Sequence, residues 1–222
     1  CVLYKDSSCI IEQIEKQNIH TLFLDYQTTT MAEYESYKQF NVQLKDGTKP
    51  LQACRQIKSQ KEIQSIEKAC QIIEQEVNSV PSIVKEGITE KQIADYIKEQ
   101  VILKGAEGIA FDTIVAFGAH SAVPHHQTSQ TPLQENECIL IDTGCLIDGY
   151  CSDITRTFFY GNPTKRFVDC YNAVKNANLI AIDNIKAGDS LKSGDNLARE
   201  YLGGFGIADF FTHSLGHGVG LA

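Results

Sequence analysis

The spacing of hydrophobic positions changes several times along this chain, and each change marks an element. Behind a Ser59-x-x-Glu62 capping box, Ile63, Ile66, Cys70, Ile73, Val77 and Val80 recur at helical spacing. Thr89-x-x-Gln92 caps a second helix, with Ile93, Ile97 and Val101 on its inner face and Gly105 at its end. Three β-patterned runs follow, Phe111 to Phe117, Glu137 to Asp142 and Tyr150 to Phe159. Pro163-Thr164 then starts a long helix with Phe167, Tyr171, Val174 and Ala181 inward, stopping near Gly188. Ser193 opens another helix through about Leu202, and a glycine-rich strand is expected to start at His213. This is an α+β layout in which an αα-β unit occurs twice, the second time without its later strands.

The first part of the chain follows a different pattern. Cys9 to Gln17 reads as a helix, Thr21 to Asp25 as a short strand and Thr30 to Phe40 as a helix, an α/β segment with too little apolar material for a core of its own. The polar stretch Lys45-Asp46-Gly47-Thr48-Lys49-Pro50 is the expected linker, so residues 1–50 and 51–222 are read as separate domains. Because the chain opens on Cys1, it is expected to be a piece of a longer protein.

Composition narrows the function classes. With 42% hydrophobic and 22% charged residues the 222-residue chain is an ordinary globular protein, and no apolar run is long enough for a membrane span. A net charge of −8 argues against nucleic acid as a partner, since phosphate binding needs a basic face. The eight cysteines are scattered, without a C-x-x-C, mostly within apolar patterns. They are expected to be buried thiols of a reducing compartment, the cytoplasm, rather than disulfides or a zinc site.

The residues that bear chemistry are few. Asp142 in ILIDTG and Asp153 in CSDITRTFF lie on strand-like stretches joined by a turn at Asp148-Gly149. An antiparallel hairpin would bring both carboxylates to one face, where a divalent cation could hold both ionised. The plainer alternative is a pair of strand-end carboxylates bonding turn amides. His125 lies on a loop, in Ser121-Ala122-Val123-Pro124-His125-His126, where lone histidines are commonly solvated. His213-x-x-x-His217 sits among Gly216, Gly218 and Gly220, which permit close backbone approach to a metal or ligand. A zincin helix is excluded, because the glutamate of H-E-x-x-H is absent. A phosphate-cradling loop remains as a weaker alternative for this run. Asp142-Thr143-Gly144 resembles the D-T-G of aspartic proteases, but a single copy in a helix-rich chain argues against that reading.

Taken together, FDTIVAFGAHSAVPHH, ILIDTGCLIDGYCSDITRTFF and FFTHSLGHGVGL resemble the Xaa-Pro peptidase branch (aminopeptidase P and prolidase) of the methionine aminopeptidase-like "pita-bread" metallopeptidases. The three motifs stand in the family's order, and the resemblance extends from about Leu51 to Ala222. It implies an α+β pita-bread (creatinase/aminopeptidase) fold, incomplete at its C-terminal end, preceded by the remnant of an α/β N-terminal domain. It implies two divalent metal ions, Mn2+ first and Co2+ or Zn2+ as alternatives, with Asp142, Asp153 and His217 as ligands. His125 and His213 are implied as catalytic and substrate-contacting residues. The substrate implied is a peptide with proline in second position, cleaved by a hydroxide shared between the metals; homodimers are common in the branch. Two further glutamate ligands are expected beyond Ala222, so the chain by itself is expected to be inactive. A non-catalytic binding module on the same scaffold is the alternative function.

Overall fold

The computed structural model describes residues 7–221 and divides into two compact units, Cys1–Ser59 and Gln60–Ala222. The first runs α1 (Ser7–Lys16), β1 (Thr21–Leu24), α2 (Met31–Tyr37), β2 (Gln43–Asp46) and α3 (Thr48–Gln56). Strands β1 and β2 pair in parallel from Thr21–Gln43 to Leu24–Asp46, with α2 as the crossover. Helix α2 starts at a capping box: Glu33 N–H donates to the Thr30 hydroxyl, and the Glu33 carboxylate accepts from Thr30 N–H at 2.8 Å.

The stretch Lys45–Pro50, read as a linker, is instead the end of β2 and the first turn of α3. Asp46 Oδ1 accepts from Thr48 N–H at 2.9 Å and turns the strand into the helix. Pro50 sits within the first helical turn, where a missing N–H leaves no bond unmade. A Cβ at Gly47 would meet Phe23 Cβ at 2.8 Å, so the glycine serves close approach of the two strands rather than flexibility.

In the second unit α4 (Gln60–Ser79) and α5 (Glu90–Leu103) cover two three-stranded antiparallel sheets. One has the order β3 (Gly108–Ile109), β6 (Cys145–Ile147), β7 (Tyr150–Cys151). The other is β4 (Ile114–Phe117), β5 (Glu137–Thr143), β8 (Ile154–Tyr160). The core between helices and sheets contains Ile73, Val77, Val80, Ile93, Ile97, Val101, Val115, Ile139 and Ile141, all buried. Thr89 and Gln92 form the expected capping box of α5.

Helix α4 buries Ile73 and Val77 as its pattern predicts, but its inward face departs from the rest of the predicted stripe. Ile63 and Cys70 are exposed, while Ser65, Ala69, Ile72, Ile73, Glu76 and Val77 are buried. Small residues are needed there because the β6–β7 hairpin comes close: Ser65 Oγ donates to Asp148 Oδ2 at 2.9 Å, and Cys145 Sγ to the Ala69 carbonyl at 3.2 Å. The buried Glu76 carboxylate is ion-paired with Lys104.

The same shift recurs in α6 (Lys165–Asn184), which pairs with α7 (Leu191–Gly203). Tyr171 and Val174, expected inside, are exposed; Ala173 and Ala177 meet Ala198 and Leu202 instead. Phe167 does pack inward, its ring 4.7 Å from that of Phe159 on β8. Ser190, not Ser193, caps α7 by accepting from Lys192 N–H, and Ser193 donates from inside the helix to the Ser190 carbonyl. After a short 3-10 turn at Ala208–Phe210, the strand expected at His213 does not form. A bridge from Leu221 to Tyr150 and a bond from Cys151 N–H to the Gly220 carbonyl, 2.7 Å, tie this stretch to β7. Among the described cysteines only Cys145 is buried, against the expectation of mostly buried thiols, and Cys54 and Cys70 lie at the surface. No helix among the described residues is long and apolar enough to cross a membrane.

Candidate functional site

Antiparallel pairing of β5 with β8 sets Asp142 opposite Thr155 and Thr143 opposite Ile154. The intervening chain turns back through Asp148 and Gly149, whose φ values of 51° and 77° are the left-handed pair that a two-residue hairpin requires. It then passes Ser152 and Asp153 and enters β8 at Ile154. Cys145 N–H donates to Ser152 Oγ at 3.0 Å and Ser152 N–H to the Cys145 carbonyl at 3.0 Å, which fixes the backbone just ahead of Asp153. Here Gly144 is indispensable. A Cβ on it would lie 1.9 Å from the Ser152 carbonyl oxygen.

The two carboxylates lie within electrostatic reach of each other. Asp142 Oδ1 accepts from Thr155 Oγ1 at 2.7 Å. Burial pushes the Asp142 carboxyl above its ordinary range and the charge of Asp153 adds to this, while Thr155, His125 and His217 oppose it. His217 Nε2 stands 3.3 Å from Asp153 Oδ2. Its Nδ1 lies 2.9 Å from the Gly218 carbonyl, which can only accept, so Nδ1 carries a proton. A neutral His217 therefore points the lone pair of Nε2 at a carboxylate oxygen. Two acceptors face each other unless a proton or a cation lies between them.

Of the other predicted residues, His125 lies in the loop after β4, exposed, with φ 56° and within electrostatic reach of Asp142. His213 is exposed on the segment after α7, where Nδ1 donates to the Ser214 carbonyl at 2.8 Å and its ring meets that of Phe211 edge-on at 4.9 Å. Its described contacts keep to its own segment and to α7, not to the aspartate pair. That segment is held by a pair the sequence reading missed. Arg199 donates to the carbonyls of Phe211 and His213, both at 2.6 Å, and Asp195 accepts from Leu215 N–H at 2.8 Å. The Arg199 guanidinium beside Asp195, with the Leu215 amide, holds that carboxyl below its usual range.

A second cluster also escaped the sequence reading. Glu90, the first residue of α5, is fully buried. Oε1 meets His120 Nδ1 at 2.7 Å and Phe117 N–H at 3.0 Å. Oε2 meets His126 Nε2 at 2.9 Å, Ser129 N–H at 3.0 Å and Ser129 Oγ at 2.7 Å. Burial would raise the Glu90 carboxyl, but the bonds from His126, His120, Ser129 and the Phe117 amide outweigh it and hold it at about 2. One ligand atom from each of Glu90, His120 and His126 lies within 4.8 Å of the others, a spacing that could hold a metal ion. Thr89-x-x-Gln92 marked the helix start, but nothing local links Glu90 to residues about thirty positions away.

Residues 64–222 match the model of metallopeptidase family M24. An uncharacterized peptidase of Staphylococcus epidermidis is 35% identical over 219 residues, covering 98% of this chain and 62% of that protein. The prolidase of Pyrococcus furiosus superposes with a TM-score of 0.88 at 35% identity, over 99% of this chain and 64% of that one. The X-Pro aminopeptidase of Thermotoga maritima gives 0.89 at 32% identity, over 96% and 60% respectively. The chain thus spans roughly three fifths of the length of the proteins it matches and shares their α+β pita-bread fold. It belongs to metallopeptidase family M24, and the solved structures it superposes on include prolidases and X-Pro aminopeptidases.

Proposed function

We propose that the protein is a dinuclear-metal peptidase that hydrolyses the Xaa-Pro bond at peptide N-termini, with Asp142, Asp153 and His217 among its metal ligands. One observation carries this reading. His217 Nε2 stands 3.3 Å from Asp153 Oδ2, beside an Asp142 whose carboxyl is raised by burial and by Asp153. A divalent cation would take the Nε2 lone pair and let both carboxylates stay ionised, and a donor set rich in carboxylate suits Mn2+ ahead of Co2+ or Zn2+. When bound, such ions supply a water of lowered pKa and polarise the scissile carbonyl.

The chain's own residues prepare the rest. Thr155 fixes one oxygen of Asp142, and the Gly218 carbonyl fixes the His217 tautomer that leaves Nε2 for ligation. His125, exposed at the edge of the cluster, donates a hydrogen bond to the developing oxyanion or the leaving proline nitrogen. His213 lines the pocket for the substrate. Residues 51–222 are read as catalytic domain and 1–50 as the end of a preceding one, in a cytoplasmic protein that pairs as a homodimer.

Mn2+-dependent hydrolysis of Xaa-Pro and Xaa-Pro-Xaa peptides by the full-length protein, with Asp153→Ala as control, tests the proposal. Metal-dependent cleavage lost in the variant supports it, and the relative rates on the two peptides separate dipeptidase from aminopeptidase. A folded, metal-supplied protein that cleaves neither would favour a peptide-binding module.

A further inference from the structure

The loop from Gly118 to Ser129 carries two adjacent histidines that go opposite ways. His125 reaches the electrostatic neighbourhood of Asp142, whereas His126 turns inward to Glu90. The reversal coincides with the left-handed backbone of His125, φ 56°, an uncommon conformation for a residue with a Cβ that the surroundings help to hold. Those surroundings lead to one carboxylate. Through its two oxygens Glu90 holds the amide of Phe117 before the loop, His120 and His126 within it, and both the amide and the hydroxyl of Ser129 at its far end. The His120 and His126 rings stack with centroids 4.3 Å apart, closing the turn between them.

Thr128 fastens the returning chain independently, its hydroxyl donating to the Thr113 carbonyl and accepting from Val115 N–H, both at 2.8 Å. The ends of the loop are thus pinned to β4 as well, and Glu90 governs what lies between. Two amides, a hydroxyl and two imidazoles saturate a group that offers about four lone-pair sites, so the cluster is complete without an ion.

We infer that Glu90 is a positioning residue: a buried carboxylate on α5 that tethers the 118–129 loop from behind and thereby sets His125 over the Asp142–Asp153–His217 cluster. This rests on the function proposed for His125, but the tether itself can be read without substrate.

The test uses the full-length enzyme and the variants Glu90→Gln, Ser129→Ala and His125→Ala, with the Glu90→Gln/His125→Ala and Ser129→Ala/His125→Ala doubles. Glu90→Gln turns one acceptor oxygen into a donor facing other donors. It is expected to lower kcat about 10- to 100-fold with KM within about twofold, since a misplaced group loses transition-state contact. In the His125→Ala background neither Glu90→Gln nor Ser129→Ala should lower kcat further. Ser129→Ala removes a single hydroxyl, so it should fold, and it gives a smaller loss of the same non-additive kind.

Losses that add to that of His125→Ala would overturn the inference. So would loss of one equivalent of bound metal in Glu90→Gln, which would make the cluster an ion site. Amide hydrogen exchange across 118–129 separates the two levels. Faster exchange in Glu90→Gln when the parent cleaves no Xaa-Pro peptide would sink the proposed function and keep the tether, and unchanged exchange would sink the tether.

Discussion

Replacing Gly144 with alanine would drive a methyl group into the chain that leads to Asp153. The added Cβ would stand 1.9 Å from the Ser152 carbonyl oxygen and 2.8 Å from its carbon, where ordinary contact begins at 3.4 Å. Ser152 must therefore retreat by about 1.5 Å, and the backbone on the other side of Gly144 cannot share the movement. Ala110 N–H donates to the Gly144 carbonyl at 2.8 Å, and the two Cys145–Ser152 bonds hold the remaining flank. Overpacking of this kind costs about 1–3 kcal/mol, and each strained or broken hydrogen bond adds about 1 kcal/mol. A total of about 3–5 kcal/mol lowers the melting temperature of a domain this size by roughly 6–20 °C. Because Asp153 directly follows Ser152, the same displacement should weaken Mn2+ binding by about tenfold or more. Calorimetric melting and Mn2+ titration of the full-length protein read both effects. Gly203→Ala is the control: nothing lies within 4 Å of its Cβ and its backbone is not left-handed, so it should be neutral or stabilise by up to about 1 kcal/mol. An unchanged melting temperature and unchanged Mn2+ affinity in Gly144→Ala would refute the claim that Gly144 sets the position of Asp153.

The remaining predictions concern the charged groups. Asp142→Asn keeps an acceptor for Thr155 but removes a carboxyl whose folded value is raised by burial and by Asp153. Ionisation of that carboxyl weighs against the fold at neutral pH, so the metal-free variant should be more stable than the wild type while losing Mn2+ affinity. Its advantage should fade as pH falls through the raised folded value and vanish below 3.8; urea midpoints with and without Mn2+ check both statements. Glu90 behaves in the opposite sense. Its carboxyl is held at about 2 against an ordinary 4.5, so the stability it contributes is complete above pH 4.5 and lost as pH falls toward 2. The gap in urea midpoint between the wild type and Glu90→Gln should thus be flat from neutrality to about pH 5 and close below it; a gap independent of pH down to 2 would contradict the ionised clamp.

How much was legible in the sequence follows from the range of each interaction. Capping boxes and strand runs are local, so Thr89–Gln92 and the pairing of β5 with β8 could be read from a few neighbouring residues. The Asp148-Gly149 turn, too, carries its left-handed preference in its own residue types. With it came the convergence of Asp142 and Asp153. Which face of a helix turns inward was decided by the partner that lands on it. Ser65 and Ala69 are buried because the β6–β7 hairpin arrives there, and Ala173 and Ala177 because α7 does, while larger apolar residues beside them stay outside. The linker reading of residues 45–50 failed for a similar reason, since polar, Gly- and Pro-containing composition serves a strand end and a helix start as well as a loop. The roles of Glu90, His120, His126, Asp195 and Arg199 belong wholly to tertiary structure. A buried carboxylate finds its donors across about thirty residues of chain, and only folding brings them within hydrogen-bond distance. The sequence by itself determined the family and the hairpin that presents the aspartates, because those rest on local pattern and motif order. The tertiary structure alone decided which buried charges hold the surrounding loops in place, because that depends on distances no local pattern encodes.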